Sequence, residues 1–319
     1  MDNDRQASRQ ISIDIGHEGQ RIDNYLVTIL KGVPKSRVYR LLRKGEVRVN
    51  KGRIKPGYRL KKGDIVRIPP LVMGIRQEQQ CPSAKLSDLI LGAILYEDED
   101  MLILDKPSGI AVHGGSGIRV GVIETLRVLR PDIPDLELVH RLDRATSGCL
   151  MFAKNRRTLL RLHTLLRENA VDKRYLTLLK GRWHKGEQRI DIALSKNRLQ
   201  SGERMVHQDD SGKMASSYFY PIKVSSEASL MAVKLMTGRM HQIRVHAAQI
   251  GHPVAGDDKY GDRDFNRQMR KSGLSRLFLH AHRIEFELDD KPRKITVQAP
   301  LAEDLRKCLA NLDLAGDDV

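Results

Sequence analysis

One short stretch of the chain, His140–Leu150, brings together the residue types that charge-based chemistry needs. A single carboxylate, Asp143, lies between the guanidinium groups of Arg141 and Arg144, and His140 precedes them. Nearby positive charge stabilises a carboxylate, so this stretch is a candidate source of a nucleophile or base. The alternative is a surface cluster of charges that leads into a buried strand, because apolar residues follow directly.

Two further clusters combine charged, aromatic and small residues. One surrounds Tyr175 in an apolar run, and the other extends from Arg239 to His246 and contains Arg244. Alone, Tyr175 would more often be a core residue and Arg244 a surface ion pair. His241 and His246 are five residues apart without an intervening Glu, which does not fit a zinc hydrolase. A serine nucleophile motif is also missing, so Asp, Tyr and Arg are left as candidates, and they can work without a cofactor.

The charge of the chain is concentrated near its N-terminal end. The 319 residues, 40% hydrophobic and 30% charged, are enough for about two domains with a real core. The net charge is +16, and residues 21–68 alone carry 15 Lys/Arg and 3 Asp/Glu, a net +12. This segment therefore predicts a dedicated module for a polyanion, of which nucleic acid is the usual example.

The cysteines and the hydropathy pattern predict a cytoplasmic protein. Cys81, Cys149 and Cys308 form neither a zinc pattern nor a disulfide framework, which suits a reducing compartment. No stretch approaches the roughly 20 apolar residues that span a bilayer, and the first residues contain no apolar signal region. We expect neither secretion nor membrane insertion.

The basic segment has the periodicity of a small mixed domain. We predict a polar tail over residues 1–9, a strand over 11–15, a helix over 21–30, a second helix from an N-cap at Ser36 to Gly45, and a hairpin that ends in Ile65–Ile68. Candidate phosphate contacts recur on the exposed face of the second helix and in the hairpin turn. They are Arg37, Arg40, Arg43, Lys44 and Lys51.

With "RKGEVRVNKGRIKPGYRLKKGDIVRI" at residues 43–68, this pattern resembles the S4 RNA-binding domain over roughly residues 20–70. The resemblance implies that the basic face binds structured RNA through phosphates and shape rather than base edges. A solvated basic surface without a partner is the alternative.

Downstream patterns predict a linker over residues 71–88 and then an α+β domain. Polar, basic residues with interspersed glycines predict a long functional loop over 196–214. Strands are predicted near 94–96, 101–104, 173–179, 217–224, 230–235, 278–286 and 295–299, and helices over 122–129, 155–169, 237–250 and 301–312.

Four motifs in order resemble those of the RluA-type pseudouridine synthases. They are "DKPSGIAVHGG", "HRLDRATSGCL", "KRYLTLL" and "TGRMHQIRVH", and "GHPVAGDDKYG" continues the resemblance. The resemblance implies an α+β fold on a bent, mainly antiparallel mixed sheet with flanking helices. It also implies isomerisation of uridine to 5-ribosyluracil in RNA without a metal or organic cofactor.

The resemblance assigns three catalytic residues. Asp143 matches the catalytic aspartate, and Tyr175 matches the aromatic residue that packs on the target base and can help to remove the C5 proton. Arg244 matches the basic partner of the aspartate. A carboxylate can attack C1′ of the ribose or C6 of the ring and be displaced later, and the sequence leaves both routes open.

The resemblance also implies wider contacts with RNA. His140, Arg141 and Arg144 are expected to hold phosphates or extruded neighbouring bases, and Arg239 either does the same or has a structural role.

The predicted organisation is a tail and first strand over 1–19, an S4 domain with linker over 20–83 and a catalytic domain over 84–319. The expected partner is large-subunit (23S) ribosomal RNA, bound by a monomer. The alternatives are an S4-containing ribosome assembly factor that has lost catalysis and a synthase that acts on tRNA.

Overall fold

A computed structural model describes residues 8–30, 33–71, 81–115, 120–198, 204–288 and 294–316. The chain divides into two compact units, Met1–Cys81 and Pro82–Val319. The predicted tail over residues 1–9 lies mostly outside the described residues, and the first strand begins at Arg9.

The N-terminal unit is a small four-stranded antiparallel sheet with two helices. Its strands are β1 (Arg9–Ser12), β2 (Arg48–Val49), β3 (Gly52–Arg53) and β4 (Ile65–Ile68), in the order β1-β4-β2-β3. Its helices are α1 (Ile22–Ile29) and α2 (Lys35–Lys44). The two predicted helices and the hairpin are present. The predicted cap at Ser36 is wrong, because α2 begins at Lys35 and its N-cap is Pro34, two residues before the predicted cap.

Helix α2 separates an apolar face from a basic face. Val38, Leu41 and Leu42 are buried in the core of the N-terminal unit. The side chains between them at helical spacing point outward, because residues three and four apart share a face. Arg40, Arg43 and Lys44 are exposed, Arg37 is half-buried, and Lys51 is exposed in the turn between β2 and β3.

The second unit is organised around one eleven-stranded mixed sheet. Its main path runs in the order β11-β10-β12-β13-β9-β14-β8-β6-β5, while β7 pairs with β8 and β15 with β14. The strands are β5 (Ile94–Glu97), β6 (Met101–Lys106), β7 (Glu137–Leu138), β8 (Ser147–Ala153), β9 (Asp172–Lys180), β10 (Gln188–Arg198), β11 (Arg204–Gln208), β12 (Lys213–Val224), β13 (Ala228–Leu235), β14 (Leu279–Phe286) and β15 (Ile295–Gln298).

Six helices flank this sheet and complete the α+β class that the sequence predicts. They are α3 (Ala84–Leu91), α4 (Val122–Leu129), α5 (Arg156–Arg167), α6 (Gln242–Gln249), α7 (Arg263–Lys271) and α8 (Glu303–Asn311). Among the described residues, none of the helices has the length and apolar character that crossing a bilayer requires.

In the part of the chain that the structure describes, one parallel pairing joins the two halves of the large sheet. Strands β8 and β14 run parallel, with His280 opposite Ser147 and Ala281 opposite Gly148, whereas the other pairings are antiparallel. Strand β14 also pairs with β9. It therefore lies between the strand that follows Asp143 and the strand that carries Tyr175.

Three predicted boundaries are corrected by the structure. Within the predicted loop over 196–214, residues 199–203 lie outside the described residues, but 196–198 end β10, 204–208 form β11 and 213–214 begin β12. Val206 is buried, while the alternating polar residues hide the period. Of the predicted linker over 71–88, residues 72–80 lie outside the described residues, and residues 84–88 belong to α3, which Ser83 caps by accepting a hydrogen bond from Leu86 N–H. Helix α6 starts at Gln242 and not near Thr237.

The parallel pairing predicts that Gly148 cannot be replaced by a residue with a side chain without loss of stability. Its φ is +106°, and a Cβ there would lie 2.3 Å from the carbonyl oxygen of Ala281. We expect Gly148→Ala to lower the free energy of unfolding by at least about 3 kcal/mol, because backbone strain and overlap with a neighbouring strand add together. Urea denaturation measures it. Gly186→Ala is the control, since its added Cβ meets no atom within 4 Å; equal effects of the two substitutions would contradict the packing argument.

Candidate active site

Asp143 lies in the connection between β7 and β8, which a buried lysine holds in place. Lys106, at the end of β6, is fully buried, and its Nζ donates to the carbonyl oxygens of Pro107 at 2.8 Å, Ile110 at 2.9 Å and Arg144 at 3.2 Å. Burial lowers the pKa of Lys106 to about 7, and the charge of Asp143 opposes that shift. The Lys106 amino group thus joins the backbone after β6 to the backbone next to Asp143.

Two nitrogen donors approach the same carboxylate oxygen. Arg244 Nη1 and His241 Nε2 each lie 3.7 Å from Asp143 Oδ2. The Asp143 side chain is 20% exposed, whereas those of Arg244 and His241 are 7% and 10% exposed. At this separation the contacts are electrostatic rather than short hydrogen bonds, and the carboxylate keeps an open side.

Arg244 is held mainly by a second carboxylate. Its Nε and Nη2 donate to Oδ2 and Oδ1 of Asp257, each at 2.7 Å, and its guanidinium lies 5.0 Å from the ring centre of Tyr260. Burial works to lower the pKa of Arg244, but Asp257, Asp143 and Tyr260 outweigh it and raise that pKa. The charge of Arg244 is therefore permanent and its position is rigid.

Both carboxylate oxygens of Asp257 accept hydrogen bonds. Its side chain is fully buried, and Oδ1 also accepts the backbone N–H groups of Lys259 and Tyr260 at 2.9 and 3.0 Å. Burial works to raise the pKa of Asp257, but the ion pair with Arg244 and these N–H groups lower it overall. The pair is thus a charge-assisted unit rather than a loose surface contact.

Tyr175 forms one wall of a small cleft beside Asp143. It lies on β9, between Arg174 and Leu176, and is 8% exposed. Burial raises the pKa of its phenol well above the ordinary value, and the charge of Asp143 adds to that shift. The ring is therefore an apolar, uncharged surface, and its hydroxyl stays protonated near neutral pH.

The cleft itself has a volume of about 190 Å³. Asp143, Tyr175 and His241 line it, with the cationic side chains of Arg141, Lys196 and Arg239 at its edges. The volume is below the roughly 300 Å³ at which pockets for drug-sized ligands begin, so it suits one planar ring. A positive rim next to such a ring site fits a flipped nucleotide and its phosphates.

The remaining residues predicted to contact RNA separate into two groups. Arg141 and Arg239 reach the cleft. Arg144 is exposed, and its Nε donates to the carbonyl oxygen of Gly109 at 2.8 Å. His140 Nε2 accepts the N–H of Met151 at 3.2 Å, and burial lowers its pKa to about 4. His140 thus binds the backbone of β8 through Nε2, and its role in RNA binding stays a prediction.

Sequence reasoning missed five residues of the site. From the sequence, His241 is considered only as a zinc ligand, together with His246, and that role is rejected. No role is assigned there to Asp257 and Tyr260, which lie in "GHPVAGDDKYG". Lys106 and Lys196 were not singled out. Lys106 follows an apolar strand, and a lysine in that setting can be recognised from sequence as a structural or functional candidate. The reason is that buried lysines need specific partners. Among the described residues, no group of three or more His, Cys, Asp or Glu could hold a metal ion.

The ion pair between Arg244 and Asp257 makes a prediction about stability. Asp257→Asn leaves a buried guanidinium without its counter-charge, so we expect the free energy of unfolding to fall by about 3 kcal/mol. Adding Arg244→Met removes that stranded charge and should recover part of the loss, as urea denaturation can measure. Glu303→Gln at the exposed pair with Arg306 is the control and should cost less than about 1 kcal/mol. A loss at Asp257 no larger than at Glu303 would refute the buried-pair argument.

Comparison with sequence families supports the motif assignments. The sequence model of the RNA pseudouridylate synthase family matches residues 100–249, and that of the S4 domain matches residues 20–66. The chain is 51% identical over 310 residues to "Ribosomal large subunit pseudouridine synthase C" of Pasteurella multocida, covering 96% of this chain and 94% of the relative. It is 50% identical over 305 residues to the protein of the same name from Escherichia coli K12, with 95% and 96% covered.

Solved structures agree with these matches. "Human RNA Pseudouridylate Synthase Domain Containing 1" aligns with a TM-score of 0.56 at 26% identity, covering 68% of this chain and 86% of that one. "Human RNA Pseudouridylate Synthase Domain Containing 4" aligns with a TM-score of 0.59 at 22% identity, covering 72% and 96%, and supports the fold alone. The pseudouridine synthase fold predicted from the motifs is confirmed. The chain belongs to the RNA pseudouridylate synthase family, and it carries an S4 domain ahead of the synthase region.

Proposed function

We propose that this chain isomerises selected uridines of large-subunit (23S) ribosomal RNA to pseudouridine. Relatives with that printed activity are about half identical to it over 95% of the chain. The observation that carries the proposal is that Asp143 and Tyr175 both line one cleft of ring size, while Arg244 Nη1 lies 3.7 Å from Asp143 Oδ2.

The reaction needs little beyond these groups. The N1–C1′ bond breaks, the uracil turns, C5 bonds to C1′, C5 loses a proton and N1 gains one. Atoms and electrons balance within the nucleotide, so the proposed chemistry uses neither an oxidant nor a metal. Asp143 supplies the covalent partner at C1′ or C6, and Arg244 stabilises its carboxylate.

Tyr175 is proposed as the surface that holds the detached base. Its buried ring packs within the cleft next to Asp143, and aromatic faces stack on bases that have left a duplex. Because burial raises the pKa of the phenol, it would not collect the C5 proton as a phenolate near neutral pH. We therefore assign Tyr175 to stacking and positioning.

The N-terminal unit is proposed to recruit the RNA. We assign residues 20–83 to RNA binding and linkage and residues 84–319 to catalysis. The outward basic face of α2 supports this, because phosphate contacts give affinity without reading sequence. Arg141, Lys196 and Arg239 are proposed to hold phosphates at the cleft. A ribosomal RNA substrate favours action in the cytoplasm, away from membranes, and the presence of all three catalytic groups in one chain favours a monomer.

The catalytic assignment predicts that Asp143→Asn abolishes turnover. The amide is isosteric but is a poor nucleophile, so we expect pseudouridine formation to fall at least about 1000-fold while RNA affinity changes less than about threefold. Pseudouridines are mapped in rRNA and tRNA from a strain that lacks the protein and is complemented with each variant. Asp88→Asn, at an exposed aspartate of the same unit, is the control. Retained modification by Asp143→Asn would exclude the nucleophile role, and modification confined to tRNA would exclude the rRNA substrate.

The recruiting role predicts a change in salt dependence. Replacing Arg37, Arg40, Arg43 and Lys44 together by Gln should weaken rRNA binding and reduce the slope of log affinity against log salt by about 1 to 3. Filter binding between 50 and 200 mM salt measures both. The matched control replaces four exposed basic residues of α7: Arg263, Arg267, Arg270 and Lys271. A slope reduced equally by both sets would argue against a dedicated module.

A further inference from the structure

The hydroxyl group of Tyr260 lies between a backbone donor and an imidazole. Val206 N–H donates to Tyr260 Oη at 2.9 Å, and His241 Nδ1 lies 2.7 Å from the same oxygen. A backbone N–H can only donate, so the Tyr260 oxygen acts as acceptor there. Its own proton is then free for a second bond, and the nearby imidazole nitrogen can accept it.

This arrangement favours one tautomer of His241. When Nδ1 accepts from Tyr260, a neutral imidazole has its single N–H on Nε2. Nε2 is the nitrogen that lies 3.7 Å from Asp143 Oδ2. The N–H therefore points at the carboxylate rather than away from it.

We propose that Tyr260 and His241 form a proton-ordered relay that directs an uncharged N–H donor at Asp143, which makes His241 and Tyr260 positioning residues for that carboxylate. The proposal deepens the function assigned to Asp143 above and rests on it. His241 acts on the reaction through Asp143, and Tyr260 acts through His241.

The relay complements the charged contact from the other side. Arg244 uses Nε and Nη2 on Asp257, so Nη1 is the nitrogen it turns toward Asp143. The closest approaches of Arg244 and His241 are both to Oδ2. Two side-chain nitrogens near one oxygen attract it electrostatically, which favours presentation of the other carboxylate oxygen to the substrate. Tyr260 connects the two donors, because its ring contacts Arg244 while its hydroxyl contacts His241.

The backbone at His241 supports a reason for the imidazole beyond packing. His241 is in the left-handed region, with φ +54° and ψ 18°, directly before α6. Glycine would adopt this conformation with less strain, although histidine is among the residues that tolerate it. Histidine at this position therefore costs backbone strain, and its ring lies between Tyr260 and Asp143. Such strain is concentrated at functional sites.

The charge states of the two rings suit the relay. The groups that face His241 are Asp143, Arg244, Lys259, Asp257 and Tyr260. Burial is the main cause that lowers the pKa of His241, Asp143 and Asp257 oppose it, and Arg244 and Lys259 lower it further. Burial also raises the pKa of Tyr260. At neutral pH the imidazole is uncharged and the phenol keeps the proton that it donates.

The first test reads the tautomer directly. Full-length protein with ¹⁵N-labelled histidine is examined by long-range ¹H–¹⁵N NMR near pH 7.5, and the His241 signals are assigned by their loss in His241→Asn. We expect His241 to be neutral with its proton on Nε2. In Tyr260→Phe the ring stays under Arg244 but the donor is lost, so the His241 signals should shift toward the other tautomer. A proton on Nδ1 in the wild type, or His241 signals unchanged in Tyr260→Phe, would overturn the relay.

The second test separates positioning from binding. We expect Tyr260→Phe to lower the single-turnover rate of pseudouridine formation at least about fivefold while changing RNA affinity less than about twofold. Tyr218→Phe is the matched control, because its hydroxyl accepts from Arg189 Nη1 on β10, outside the cleft. Equal rates for Tyr260→Phe and Tyr218→Phe would reject the positioning role.

The two tests also separate this proposal from the proposed function. The tautomer measurement needs no RNA. A wild-type protein that forms no pseudouridine would refute the proposed function, while the NMR result would still decide the relay. A wild-type protein that is active, with Tyr260→Phe unchanged in both measurements, would refute the relay alone.

Discussion

The buried ion pair between Arg244 and Asp257 is the interaction on which the candidate active site depends. It holds a permanent positive charge next to Asp143, at a point where burial would otherwise be prohibitive. Asp257 also accepts two backbone N–H groups, and Asn266 binds the carbonyl oxygen of Asp257 and the N–H of Gly256. The pair therefore links α6 to the segment that leads into α7. It also fixes the position of the guanidinium group that lies next to Asp143.

The residues of the site were predictable to the extent that each carries its own signal. Motif and order point to Asp143, Tyr175 and Arg244; in the structure Asp143 and Tyr175 line one cleft, and Arg244 lies against Asp143. Their partners were not predictable, because Asp257 is one of several acids near α6 and only tertiary packing selects it. His140 has the residue type expected of a phosphate contact, but its direction toward Met151 depends on the path of a loop.

The helices and strands were likewise predictable only where their own residues carry a clear signal. Helices α4 and α5 and strands β9 and β13 have clear apolar periods and were predicted within a few residues. The prediction of a loop over 196–214 misses β11 and the end of β10, because the outward residues there are polar and the buried positions are few. An edge pair of this kind is specified by cross-strand register with β12 rather than by its own composition.

The position of β14 has a consequence for how the enzyme matures during synthesis. This strand is inserted between β8 and β9, although it is made more than 100 residues after either of them. At about 5 to 20 residues per second, a ribosome completes β14 roughly 5 to 20 seconds after β9. Until then, the strands that anchor Asp143 and Tyr175 lack their shared neighbour. Catalytic competence thus arrives as one of the last events of folding, well after the N-terminal unit can form.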